Sequence, residues 1–380
     1  MKTIWKMSGF AVVLSASAWG LEVTAVNPSE FARSAETIEL SGKDLESIGE
    51  KNFQNLHVKD PSGAEVLCQA VDNDGDDLRK PDSLIFQADF APGETKRFAV
   101  VKGAKQVYKK EQFKAFGRFN RERFDDFVWE NDKIAHRTYG KALETWKGEP
   151  LTSSTIDIWS KRTPRMVVND WYLADDYHVD HGEGADFYSA GPSRGCGGSG
   201  IWAADKLWVS SNFVKSNVLA NGPIRVMFEL EYAPYEVNVA QLTEVKRVTL
   251  DAGSHFDFYQ SHWKLNEIGD LSTAVGLKKA KGEQLMKGDT WLAKWEPMEK
   301  KAGNQGLALI VPPGTLEKTL ESGPDHLAVM KRAKGEAKWW AGFCWDKAGE
   351  ITTADAWRAH VVQFTEKLAA PIKVSVDPSK

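Results

Sequence analysis

Cysteine is scarce: Cys68, Cys196 and Cys344 are the only three in a chain of 380 residues. They are far apart and odd in number, so at most one disulfide forms and a disulfide-stapled scaffold is excluded. The fold must rest on its core. No sign of charge dominates, with 49 Lys plus Arg against 53 Asp plus Glu and a formal net charge of −4. That balance gives no basic footprint for nucleic acid. No segment approaches the ~20 apolar residues of a membrane-spanning helix, and there is neither a fixed-period repeat nor a low-complexity tract. Membrane insertion, solenoid architecture and disorder are therefore not expected. What the chain has in quantity is tryptophan, 15 residues beside 18 Phe and 8 Tyr. Indole rings are large and flat and carry an N–H, which suits both β-sheet cores and the stacking of sugar rings.

Residues 1–20 combine a short basic start (Lys2, Lys6), an apolar run from Phe10 to Leu14 and small residues Ala16, Ser17, Ala18 and Gly20. This pattern reads as a secretory signal peptide, so the mature chain is expected to be exported, most simply to a bacterial periplasm. From 21 to 103, short alternating runs such as those around Thr37–Leu40, Val66–Val71 and Arg97–Val101 predict a small antiparallel β-sandwich. Within it, the acidic run from Asp72 to Asp77 resembles the start of a calcium loop. The twelfth position from Asp72 is Ser83 rather than a bidentate Glu, so an acidic hairpin turn is the expectation. Residues 104–115 read as a polar linker, and 104–380 as the large domain. Long strand pairs recur there, together with one helix capped by Thr353, with Trp357, Val361, Phe364 and Leu368 on one face and Pro371 as its stop. A last strand, IKVSV, closes the chain.

Chemistry-bearing residues concentrate in two stretches. The first, RFNRERFDDFVWENDKIAHRTYG at 118–140, interleaves Arg123, Asp126, Glu130, Asn131 and Arg137 with Phe127 and Trp129. As a strand it carries a carboxylate on each face. A solvated charged face is the plain alternative, but the interleaved aromatics bring some charges to the core, where an unpaired charge is costly. The second, DDYHVDHGEGADFYSAGPSRGCGGSGIW at 175–202, holds His178, Asp180, His181 and Glu183 within six residues. Asp186 and Tyr188 follow, and Arg194 lies among closely spaced glycines. Imidazoles beside carboxylates serve acid–base chemistry or a divalent metal at His178, Asp180 and His181, although the helical His pair of zincins is lacking. No cofactor is required by the sequence. The structural alternative is an ordered glycine loop with hydrogen-bonded histidines. His57, His136, His326 and His360 are isolated and read as structural, as do His255 and His262.

The segments ERFDDFVWENDKIAHRTYG, YHVDHGEGADFY, GPSRGCGGSGIW and NGPIRVMFELEY resemble the hallmark segments of the domain-of-unknown-function family 4861. The Asn-Gly-Pro lead-in at 221–223, with VTLDAGS at 248–254, is similar to the galactose-mutarotase type of fold. The fold class expected is thus mainly β, an antiparallel β-supersandwich with a small N-terminal β-sandwich. The resemblance implies an exported protein of bacterial polysaccharide breakdown, some of whose relatives resemble oligosaccharide dehydratases. It carries the expectation of an enzyme, a carbon–oxygen lyase, acting on an oligosaccharide ended by a uronic acid.

Such an elimination needs a group to neutralise the carboxylate, a base near C5 and an acid for the departing oxygen. The expected catalytic residues are His178, His181, Tyr188 and Arg194. His181 or His178 acts as base and Tyr188 as acid, while Arg194 and Arg123, with Asn131, grip the carboxylate. Arg123, Asp126, Trp129, Glu130, Asn131, Arg137, Trp171 and Glu183 form the expected substrate-binding set, Trp129 or Trp171 being the stacking platform. Two alternatives stand beside this: a glycoside hydrolase pairing Asp126 or Glu130 with Glu183 or Asp186, and a non-catalytic glycan-binding protein. Nothing in the sequence sets an oligomeric state.

Overall fold

The computed structural model describes residues 20–77, 80–148, 150–174, 176–265 and 270–378. The expected signal segment lies, up to residue 19, outside the described residues.

The fold centres on an eight-stranded antiparallel sheet. Its strands, in spatial order, are Phe213–Asn221, Arg225–Val237, Ala240–Asp251, Phe256–Leu265, Glu336–Trp345, Asn304–Ile310, Trp291–Pro297 and Gln284–Lys287. Two five-stranded antiparallel sheets cover one face. One is built on Cys196–Ala203, Ser272–Lys278 and Asp325–Met330, the other on Ala115–Asn120, Asp126–Asn131, Ala135–Thr138 and Asp157–Lys161. Phe127, Trp129, Ile158, Phe228, Tyr259, Trp339 and Phe343 fill the space between the layers. Burial of such large apolar area is the main source of stability in a chain without disulfides, and all three cysteines are free and buried. This is the antiparallel β-supersandwich anticipated from the sequence.

On the opposite face lie the C-terminal helix and the N-terminal sandwich. The helix Ala354–Ala369 begins where expected, Thr353 Oγ1 accepting from the Ala356 amide at 3.2 Å. Trp357 and Val361 drive into the sheet beside Phe256 and Trp291, with Phe364 and Leu368 flanking them. The sandwich pairs a three-stranded sheet, Cys68–Val71, Ser83–Phe90 and Arg33–Ser41, with a five-stranded one that includes Gly20–Val26 and Thr95–Lys102. The last strand departs from the expected division of the chain. Lys373–Pro378 pairs with Gly20–Val26, so the C-terminus completes the N-terminal sandwich rather than the large domain.

Backbone crossings explain the glycine-rich run. Gly195 has φ +62° and a Cβ there would sit 1.9 Å from the Ile156 carbonyl oxygen, while at Gly184, φ +117°, it would meet the Ser160 oxygen at 2.0 Å. These glycines serve close strand packing, and ligand approach is not what requires them.

Candidate active site

The strand Ala135–Thr138 places Arg137 in register with Asp157 on Asp157–Lys161. Arg137 is 9% exposed, and a guanidinium so placed needs carboxylate partners. It donates to Asp157 Oδ2 from Nη2 at 2.6 Å and from Nε at 3.2 Å, and to Asp186 Oδ2 at 3.2 Å. Asp126 Oδ2 lies 4.0 Å from Nε. Burial opposes the charge on Arg137, but Asp157 and then Asp186 outweigh it and keep the group protonated. Burial pushes the Asp126 carboxyl up to about 7 against the pull of Arg137. Tyr139 donates its hydroxyl to Asp157 Oδ2 at 3.1 Å, and the Tyr177 hydroxyl accepts from Arg137 Nη1 at 3.4 Å.

Above this buried cluster opens a cavity of about 160 Å³. Its volume is below the ~300–1,000 Å³ of pockets that enclose drug-sized ligands, so it suits one ring of a larger molecule. Arg123 comes from one of the two sequence stretches, and His178, Asp186 and Tyr188 from the other; Glu299 joins them from a distant turn. The Arg123 guanidinium lies over the Tyr177 ring at 5.1 Å and makes no ion pair among the described residues. His178 Nδ1 is 3.0 Å from the Asp186 carbonyl oxygen, with Asp186 Oδ2 at 3.6 Å. A carbonyl only accepts, so the neutral ring carries its proton on Nδ1 and leaves Nε2 with a lone pair. The Tyr188 hydroxyl is buried without a hydrogen-bond partner among the described residues, and burial holds it protonated well above the usual tyrosine range.

Several expected site residues stand elsewhere. Arg194 is 2% exposed and packed in the interior, its guanidinium within 3.4 Å of Ser154 Oγ and the Ser199 carbonyl, out of reach of a substrate. His181 is turned outward onto Asp176 at 3.1 Å. Asp180 is engaged by Arg162 and by the Gly182 and Gly184 amides. His178, Asp180 and His181 therefore do not converge as a metal centre; the one group of side chains placed for a metal among the described residues is Asp72, Asp74 and Asp82. Glu183 is held by Arg165 at 2.6 and 2.9 Å.

Trp129 is fully buried and donates to Asp257 at 2.7 Å, so it offers no stacking platform. Trp171 stacks on Trp159 at 5.8 Å within a side cluster. Glu130 pairs with buried Lys161 at 2.8 Å. Asn131 fixes a turn, donating to the Asp251 and Ser254 carbonyls. Sequence reasoning missed Tyr139, Tyr177, Asp157 and Glu299. Register held the signal for two of them: an arginine in a buried strand requires an acid on its neighbour, and Tyr139 follows Arg137 by two residues along the chain.

A larger cavity of about 520 Å³ lies between the N-terminal sandwich, the C-terminal helix and the eight-stranded sheet. Its charges are already matched, Arg225 with Asp251 and Glu39, Lys367 with Glu36. The smaller cavity, lined by a guanidinium without an ion pair among the described residues and by an imidazole with its Nε2 lone pair, is the better chemical site.

The fold is similar to that of a protein in the glycosyl hydrolase family 38 from Enterococcus faecalis, at TM-score 0.56 and 13% identity, covering 94% of this chain and 47% of that one. An alpha-mannosidase from Enterococcus faecalis V583 aligns at TM-score 0.48 and 11% identity, over 95% of this chain and 46% of that one. The chain thus spans about half the length of these solved structures. In sequence it is 31% identical over 371 residues to "Uncharacterized protein P7" of Formosa agariphila, covering 93% of each. With residues 25–374 matching the family model described as a domain of unknown function, DUF4861, the chain belongs to that family.

Proposed function

We propose that this protein is an exported carbohydrate-active enzyme that removes water from a terminal uronic acid of an oligosaccharide, working in the cavity between Arg123 and Tyr188. The observation that carries the reading is His178. Its Nδ1 faces a carbonyl oxygen at 3.0 Å, which leaves Nε2 as a base at the mouth of a cavity sized for one ring. Arg123, which makes no ion pair among the described residues, takes the uronate carboxylate and makes the C5 proton acidic. His178 Nε2 removes that proton, and the C4–O bond breaks as C4=C5 forms. The imidazolium so formed then gives this proton to the departing hydroxide, which leaves as water and restores the neutral ring. Asp186, whose Oδ2 lies 3.6 Å from Nδ1, steadies the imidazolium while it carries that proton. The supersandwich fold hosts several chemistries, so the cavity, and not the architecture, supports this choice.

The test is product analysis with uronate-terminated oligosaccharides. Wild-type protein is expected to yield a product lighter by one water with near-ultraviolet absorbance from the conjugated acid. His178→Ala is expected to lower the rate by about 10²–10⁴-fold. A new reducing end without loss of water would replace this reading by hydrolysis, and full elimination by His178→Ala would remove the assigned base.

A further inference from the structure

We propose that Asp72, Asp74 and Asp82 form a calcium site at the base of the acidic hairpin in the N-terminal sandwich, independent of the chemistry assigned to the cavity. The hairpin joins the strands Cys68–Val71 and Ser83–Phe90. Its two ends are closed by the Asp82 amide donating to the Val71 carbonyl at 2.8 Å, which sets Asp72 and Asp82 face to face. One carboxylate oxygen from each of Asp72, Asp74 and Asp82 lies within 4.8 Å of the others.

Asp72 makes this more than an acidic turn. The residue is 4% exposed. Its Oδ1 accepts from the Gly75 and Asp74 amides at 2.6 and 3.2 Å, whereas its Oδ2 is buried and has no hydrogen-bond partner among the described residues. A carboxylate oxygen removed from water and left without a donor is costly, and here two further carboxylates raise the cost. Backbone amides orient the other two as well, Asn73 N on Asp82 Oδ2 at 2.7 Å and Asp76 N on Asp74 Oδ1 at 3.0 Å. Among the described residues no lysine or arginine pairs with any of the three. Of the described cations around the hairpin, Lys80 pairs with Asp77 at 3.3 Å and Arg247 with Glu229 at 2.6 Å.

An all-oxygen donor set with no imidazole or thiolate selects a hard cation. Three carboxylates on a turn, leaving room for water and carbonyl oxygens, suit the longer and more variable bonds of Ca²⁺ better than the strict octahedron of Mg²⁺. The sequence pattern failed as a calcium loop because it lacks an acid at its twelfth position. The fold supplies the missing ligand as Asp82, from the far side of the hairpin. The bound ion would act on docking: the Asn73 carbonyl accepts from Arg247 of the large sheet at 2.7 Å, and Val71 and Ile85 pack on Leu219 and Met227.

The test uses the full chain, freed of metal by chelation and titrated calorimetrically with CaCl₂ and MgCl₂, with melting temperature read in parallel. One Ca²⁺ per chain is expected, with a dissociation constant at or below ~10⁻³ M and weaker Mg²⁺ binding. Calcium should raise the melting temperature. Asp72→Asn should abolish binding. Asp74→Asn, on an exposed side chain, should fold normally and weaken binding by about tenfold through loss of one ligand charge. Neither heat nor a melting shift at ~10 mM calcium, or binding unchanged in Asp74→Asn, overturns the site.

Discussion

Asp126 shows how one buried carboxyl couples the candidate site to pH. Its folded-state value of about 7 stands above the 3.8 of an ordinary aspartate, because burial outweighs Arg137. Between about pH 4 and 7 the native chain keeps a proton that the unfolded chain has released, so this group's contribution to stability falls as pH rises through that window. The penalty is fully developed above pH 7 and amounts to roughly 4 kcal/mol. Asp126→Asn keeps an oxygen to accept the Gly140 amide, which now donates to Asp126 Oδ1 at 3.1 Å, and carries no charge. Its stability relative to wild type is expected to be a few kcal/mol better at pH 8 than at pH 5, measured by urea unfolding at both values. A difference independent of pH would contradict the buried, protonated carboxyl.

At the scale of elements, Glu130 holds a strand, a loop and a helix together. Its Oε1 accepts from the Val168 amide and its Oε2 from the Val167 amide, both at 2.9 Å, at the start of the helix Val168–Ala174, while Lys161 Nζ approaches at 2.8 Å. Both members of the ion pair are shielded from solvent, so removing one charge strands the other. Glu130→Gln is expected to cost about 3–5 kcal/mol. Urea midpoints check this, and the variant should keep its cavity chemistry at low temperature because Glu130 does not line the cavity. Many elements were legible in the sequence because local signals and burial agree in them. The run SLIFQADF is the strand Ser83–Phe90, and the helix capped by Thr353 buries two of the four residues expected on its face, Trp357 and Val361, with Phe364 and Leu368 packed partly buried beside them. Of the candidate site, Arg123, Arg137, His178 and Tyr188 were legible as types of chemistry in two short stretches. Trp129, Glu130 and Asn131 share those stretches yet serve the core, since an alternating pattern does not say which face meets a cavity and which meets another sheet. Arg194 and its glycines were misleading for a related reason: close strand packing and close ligand approach demand the same residues.

The whole molecule is tied by its two ends, a relation invisible to any local pattern because the partners are separated by nearly the entire chain. Lys373–Pro378 runs antiparallel to Gly20–Val26 from Val26 opposite Lys373 to Leu21 opposite Pro378. Arg33 of the N-terminal sandwich, 2% exposed, donates to the Ala370 and Lys367 carbonyls at 2.8 and 3.2 Å, satisfying the end of the C-terminal helix. Lys367 returns an ion pair to Glu36 at 2.7 Å. The helix itself is anchored in the large sheet by Trp357, whose indole donates to the Leu307 carbonyl at 3.2 Å. The C-terminal segment therefore works as a strap from the large sheet to the small sandwich. Deleting residues 371–380 is expected to expose one edge of Gly20–Val26 while its other edge stays paired with Thr95–Lys102. Amide exchange by mass spectrometry should then quicken in Gly20–Val26 by about tenfold or more, the ~1.4 kcal/mol that one or two lost ladder bonds carry. Exchange in the central strands of the eight-stranded sheet should stay as in the intact chain, because their ladders and the Trp357 anchor are untouched. Equal protection of Gly20–Val26 in both forms would mean that the sandwich closes without its strap.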